Sequence, residues 1–107
     1  MSKPLLSNVR RVGNLLFISG IIGKGDNKES KFRDTFERIK GVLEENDLSL
    51  ENIVNATVYL EDINDRPNYL NPLWREYFPG EPPTRTCVEV GLAGGQIEIT
   101  VIAAIFD

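Results

Sequence analysis

The chain has 107 residues, of which 41% are hydrophobic and 26% charged, and its net charge is −4. That length suits one ordinary globular domain, spanning residues 1–107. The acidic balance argues against a nucleic-acid partner, because phosphate binding needs clustered Lys and Arg and the only adjacent basic pair is Arg10-Arg11. The chain contains no histidine, which excludes Ser-His and Cys-His pairs and any His-ligated metal. A single cysteine, Cys87, excludes an internal disulfide and argues against a zinc cluster. Any catalysis must therefore run on Arg, Lys, carboxylates, hydroxyls, Cys87 or backbone groups.

Met1 to Leu6 holds no long apolar run, so neither a signal peptide nor a spanning helix is expected, and the chain reads as cytoplasmic. Ser7 to Val12 and Leu15 to Ile22 form the arms of a predicted hairpin turning at Gly13-Asn14. Asp26 and Glu29 have the spacing of a capping box. After them Phe32, Phe36, Ile39 and Leu43 recur along one face of a helix that ends near Asn46-Asp47. Residues 53–60 alternate as a half-buried strand, with Val54, Ala56, Val58 and Leu60 on one face and Asn55, Thr57 and Tyr59 on the other.

Leu70, Leu73, Trp74, Tyr77 and Phe78 have helical spacing, but Pro72 interrupts them. Either Asn71 caps a short helix with Pro72 in its first turn, or a helix from about Asp65 is kinked there. The favoured reading is an irregular turn followed by a helix from about Pro72. Two strands close the chain, Thr84 to Val90 and Gln96 to Phe106. The last is apolar on both faces, which predicts a central, doubly covered strand. Two helices cover one face of a sheet, so the other cover is expected to be a second copy of the chain. The order is β-β-α-β-α-β-β, an α+β domain.

Alternation puts Arg85, Cys87 and Glu89 on one face of their strand. Arg85 follows a Pro-Pro loop at the strand's start, where a guanidinium can clamp a carboxylate in two parallel hydrogen bonds or form a structural salt bridge. Glu98 is a lone carboxylate in an apolar strand. It is either an acid/base group holding a water, or a rim residue or partner of Arg85. Cys87 reads as a small hydrophobe lining a cleft, because no histidine can activate it. Ser19-Gly20 is either a bulge or a place where a ligand approaches the backbone. Trp74, Tyr77 and Phe78 read as core packing rather than a stacking platform. Gly91 to Gly95 lacks a following helix and is not a phosphate loop.

Pro83-Thr-Arg-Thr-Cys-Val-Glu-Val90 resembles the P-x-R-[ST]-x-V-E-V signature of the RidA/YjgF family. Gln96 to Ala103 resembles that family's closing strand, and Val12-Gly-Asn-Leu-Leu-Phe-Ile-Ser-Gly20 its hairpin. Lys31 to Phe78 follows the family pattern, including Thr57 to Leu60 and Asn71. The resemblance implies a chorismate-mutase-like fold and a homotrimer with clefts between subunits. It also implies cofactor-independent hydrolysis of enamine/imine intermediates such as 2-aminoacrylate to 2-oxo acids and ammonia. In that scheme Arg85 binds the substrate carboxylate and Glu98 positions the attacking water. Ser19, Gly20, Cys87 and Asn71 line the substrate site. Two other activities are open on the same fold, a non-catalytic carboxylate-binding trimer and an endoribonuclease or translation inhibitor. The sequence departs from the family at Leu6, where a pocket Tyr is usual, at the short connection Ile21 to Lys31, at Pro67 in place of an aromatic, and at Thr100 in place of a second Glu.

Overall fold

The computed structural model describes residues 3–106, so Met1 and Ser2, on which the reading of the chain start partly rests, lie outside the described residues. Strands β1 (Val9–Val12) and β2 (Leu15–Ile22) form the hairpin, pairing Val12 with Leu15 and Val9 with Ile18. Helix α1 (Lys28–Glu45) follows. Its cap lies one residue later than expected. The Asn27 side chain accepts the Ser30 N–H at 2.8 Å, and Ser30 Oγ accepts the Asn27 N–H at 3.1 Å. This pair occupies both ends of the box, so Asp26 and Glu29 do not form it.

The entry to α1 is fixed from β2. Gly23 donates to Thr35 Oγ1 at 3.0 Å, and that buried hydroxyl donates to the Lys31 carbonyl at 2.8 Å. A Cβ on Gly23 would lie 2.5 Å from Thr35 N, so only glycine admits this approach. Lys24 N–H caps the same turn through Asp34. Phe32, Phe36, Ile39 and Leu43 are all buried, as their spacing predicts.

A 3-10 turn (Leu50–Asn52) leads into β3 (Ile53–Leu60). One expectation fails here. Val54 is exposed and Ile53 is buried, because β3 carries an extra residue opposite β5 between Ile53 and Asn55. The bulge turns Ile53 inward and Val54 outward before the alternation Ala56, Val58, Leu60 resumes.

Pro72 is resolved by an irregular turn. Residues Arg66–Leu70 wind as a π-turn, in which Asn71 N–H reaches the Arg66 carbonyl, and α2 (Asn71–Tyr77) continues from it. The wider turn accommodates the proline ring, which in an α-helix would clash with the carbonyl four residues back. Asn71 does not cap α2 with its side chain; that amide is used elsewhere.

Strand β4 (Thr84–Glu89) lies parallel to β3, and β5 (Ile97–Ala104) lies antiparallel between β2 and β3. The sheet order is β1-β2-β5-β3-β4, with both helices on one face. On that face Ile97, Ile99, Val101 and Ala103 of β5 are essentially inaccessible. On the other face Ile102 and Ala104 are half-buried, and their neighbours Phe17 and Leu15 are 42% and 38% exposed. The second face of the central strand is thus open within one chain. Among the described residues, no helix is long and apolar enough to cross a membrane.

Candidate active site

The chain assembles two clusters of the expected residues, and they lie on opposite faces of the sheet. The first is built on the edge strand β4. Register pairs Arg85 with Ala56, Cys87 with Val58 and Glu89 with Leu60, so all three side chains stand on the helix-covered face. Arg85 Nη1 donates to Asn71 Oδ1 at 2.9 Å, and its guanidinium lies 5.0 Å from the centre of the Trp74 ring. Asn71 and Trp74 are three residues apart on α2 and face the same strand.

Among the described residues no carboxylate oxygen lies within 4.0 Å of Arg85, so the structural salt bridge does not form. The charge is instead oriented by a neutral acceptor and an aromatic face, which leaves it uncompensated. The expectation for Trp74 is corrected on this point. It packs against Phe36 and Phe78 as core, and its ring also carries the Arg85 guanidinium.

Cys87 is half-buried beside Arg85. Burial pushes its thiol pKa up, against smaller downward pulls from the charges of Arg85 and Arg66. A raised thiol is a poor nucleophile, which fits a lining role.

The second cluster surrounds Glu98. Its β5 position pairs with Ile22 on β2 and Tyr59 on β3, which puts its side chain on the open face. It is half-buried rather than enclosed in the core. Between Ile18 and Ile21 the strand β2 carries one extra residue, so Ser19 and Gly20 together oppose Thr100. This bulge brings Gly20 under the Glu98 side chain. A Cβ on Gly20 would lie 2.8 Å from Glu98 Cδ and nearer still to Oε2. Ser19 Oγ donates to the Ser7 carbonyl at 2.7 Å and its N–H to the Asn8 carbonyl at 2.9 Å. The Ser19 hydroxyl thus ties the N-terminal segment to the bulge. Leu6, where the family pattern has a tyrosine, is 61% exposed on that segment.

Arg85, Asn71 and Cys87 therefore come together, as do Ser19, Gly20 and Glu98, but the two groups do not meet. Two strand spacings across and three residues along the sheet separate the Arg85 and Glu98 Cα atoms by about 14 Å, with the side chains pointing opposite ways. A cleft elsewhere, lined by Glu51, Tyr77, Phe78, Pro79, Glu81 and Phe106, holds two carboxylates and no cation. It has nothing to offer an anionic substrate. Among the described residues no group of three or more His, Cys, Asp or Glu side chains converges on one point.

A family model described as endoribonuclease L-PSP matches residues 3–105. The chain belongs to the RidA/YjgF family. Its relatives include a RutC family protein of Pyrococcus abyssi, 41% identical over 99 residues that cover 82% of this chain and 76% of that protein. The 3-aminoacrylate deaminase RutC of Acinetobacter baylyi is 32% identical over 103 residues, covering 87% and 81%. The fold matches a solved YjgF family member from Neisseria meningitidis with a TM-score of 0.89 at 26% identity, covering 99% of this chain and 92% of that one. RidA from Psychrobacter superposes with a TM-score of 0.88 at 28% identity, covering 98% and 92%. Two helices on a mixed five-stranded sheet are thus this family's architecture in this chain.

Proposed function

We propose that this RidA/YjgF chain is a cofactor-independent imine deaminase, acting on 2-aminoacrylate-type imino acids at clefts between the subunits of a homotrimer. The observation that carries this reading is Arg85, a cation pre-oriented by Asn71 and Trp74 with no carboxylate oxygen among the described residues within 4.0 Å to neutralise it. Such a group is ready for the carboxylate of a ligand. A relative bearing the name 3-aminoacrylate deaminase supports the reaction class.

The opposite-face arrangement gives the reading its geometry. Arg85 of one subunit and Glu98 of its neighbour face each other when the open face of one sheet is covered by another copy. The exposed Phe17 and Leu15 beside Ile102 and Ala104 support such burial. Arg85 holds the substrate carboxylate. Glu98 accepts a proton from a water as its oxygen adds to the imine carbon. The C–N bond then breaks, leaving a 2-oxo acid and ammonia. An imine carbon is already electrophilic, so the protein's work is chiefly positioning. Ser19, Gly20, Cys87 and Asn71 shape the site around these two groups.

The test is release of 2-oxo acid and ammonia from imino acids generated in situ. Wild type should accelerate it, Arg85→Ala should abolish carboxylate binding, and Glu98→Gln should lower turnover more than affinity. Mixing the two impaired variants in equal amounts and reassembling them should restore full activity at about a quarter of the sites, because each mixed interface can pair one intact Arg85 with one intact Glu98. A folded trimer that binds small carboxylates without turnover would instead be a binding module. The exposed Leu6 in place of a tyrosine favours that second reading. The endoribonuclease activity in the family model's description finds less support, since a net charge of −4 provides no phosphate-tracking stripe.

A further inference from the structure

The segment that presents Asn71 and Trp74 to Arg85 has little rigidity of its own. It is a five-residue π-turn joined to a seven-residue helix, with Pro67 and Pro72 in it and no side-chain cap on either part. Its position is set by what it docks on, and it docks on α1. Asp65, which leads into the π-turn, is 3% exposed and accepts from Lys28 Nζ on Oδ1 at 3.2 Å. Tyr69, within the turn, lies 5.5 Å from Phe32 between ring centres, and Lys28 Nζ stands 5.7 Å from the Tyr69 ring centre. Lys28 and Phe32 are four residues apart on one face of α1, so a single stripe of that helix seats the turn at two points.

A line of contacts then runs from Lys28 to Arg85. Lys28 holds Asp65. The next residue, Arg66, accepts the Asn71 N–H on its carbonyl. Asn71 Oδ1 accepts from Arg85 Nη1 at 2.9 Å, and Trp74 carries the guanidinium 5.0 Å from its ring centre. The ion pair at the head of this line is a poor device for stability alone. Asp65 Oδ2 is buried with no hydrogen-bond partner among the described residues. A half-satisfied buried carboxylate costs free energy that an apolar pair of similar volume does not. What the pair adds over an apolar contact is a fixed distance and direction.

We infer that Lys28 and Asp65 are positioning residues for Arg85. They set where the π-turn begins, and thereby where Asn71 and Trp74 hold the guanidinium. For its effect on a ligand the inference rests on the reading of Arg85 as the carboxylate anchor. It involves neither Glu98 nor the reacting atoms, so it acts on affinity and not on turnover.

Trp74 is the single tryptophan of the chain, so its fluorescence reports the guanidinium on its ring with no ligand present. The variant to test is Lys28→Met with Asp65→Leu, since removing both charges together leaves neither buried alone. Its emission should shift in the direction that Arg85→Ala shifts it, and the pair of changes should add nothing in an Arg85→Ala background. Asp65→Asn, which keeps the shape and removes the charge, should shift emission the same way and carries the test if the double variant does not fold. Asp34→Asn removes a different ion pair of α1 and should leave emission as in wild type. An unshifted emission in the Lys28 and Asp65 variants overturns the inference, and so does an equal shift in Asp34→Asn. The same proteins are then titrated with pyruvate, the 2-oxo acid that 2-aminoacrylate yields. The double variant should lose about tenfold in affinity, the scale of one charge-assisted hydrogen bond, with kcat unchanged. Wild type and double variant binding pyruvate equally overturns the inference and leaves the deaminase reading standing. The expected emission shifts, in a wild-type protein that neither binds pyruvate nor hydrolyses imines, refute the deaminase reading and leave the positioning of Arg85 standing.

Discussion

Gly20→Ala isolates the role of Glu98 without touching its chemistry. The glycine has no left-handed φ, so alanine's narrower backbone range is not at issue. What changes is space. The new Cβ would stand 2.8 Å from Glu98 Cδ, where ordinary contact begins at 3.4 Å, and the carboxylate oxygen is nearer still. The obstructed atoms are the far end of a flexible side chain on the open face, so they can swing aside. Stability should change by less than about 1 kcal/mol, a melting shift of no more than about 8 °C for a domain of this size. The carboxylate, however, must retreat by about 1 Å, and misplacement on that scale costs on the order of 100-fold in rate.

The assay is steady-state release of 2-oxo acid from an imine generated in situ, with thermal unfolding run in parallel. Gly20→Ala should lose kcat and keep its affinity for the product acid, which Arg85 is proposed to hold. The double variant with Glu98→Gln should be no slower than Glu98→Gln alone, since both changes act through one carboxylate. A Gly20→Ala protein that turns over within twofold of wild type, or losses that multiply in the double variant, would refute the reasoning.

Arg85→Ala leaves the Asn71 Oδ1 unpaired and one face of Trp74 bare. It should cost about 1 kcal/mol in urea unfolding and leave the oligomer intact; a protein that fails to fold would show Arg85 to be structural after all. Phe17→Asp puts a charge on the open face beside Ile102 and should yield monomers in sedimentation, whereas an unchanged oligomer would mean that this face is not the interface. Asp34 accepts the Lys24 N–H at 2.7 Å and Arg38 Nε at 2.6 Å, and these bonds hold its pKa below the ordinary 3.8. Its stabilising contribution is full above that ordinary value and is lost as the pH falls through the lower folded value. Asp34→Asn should therefore flatten the acid side of the melting-temperature profile below about pH 4 and lower the plateau slightly; identical acid limbs would refute the assignment.

Much of this architecture was readable because burial imposes a period. Phe32, Phe36, Ile39 and Leu43 name the inner face of α1, and Ile97 to Ala103 name the inner face of β5. The same rule put Arg85 and Cys87 side by side. It fails where a strand gains a residue, as at Val54, because a bulge inverts everything before it and leaves no mark in the pattern. Caps are ambiguous for a different reason. Asp26 with Glu29 and Asn27 with Ser30 have the same spacing, and only the path of the Gly23 turn chooses between them. The deeper limit concerns Glu98. Alternation states which residues of one strand share a face, but the faces of two strands are matched only by their pairing. Nothing local says that β5 enters between β2 and β3. The second role of Trp74 likewise arises from how one segment lies over another; a tryptophan three residues after Asn71 was the available signal for it.

The placement of Arg85 and Glu98 on opposite faces has a consequence for how activity responds to quantity. On the proposed reading the site is shared between chains and governed by mass action, so specific activity should decline on dilution below the assembly constant even though each chain remains folded. Substitutions at Leu15, Phe17, Ile102 or Ala104 would then behave as active-site lesions while touching no substrate. In a cell that makes two versions of the chain, a subunit defective at one face would spoil one neighbour's site and spare the other's.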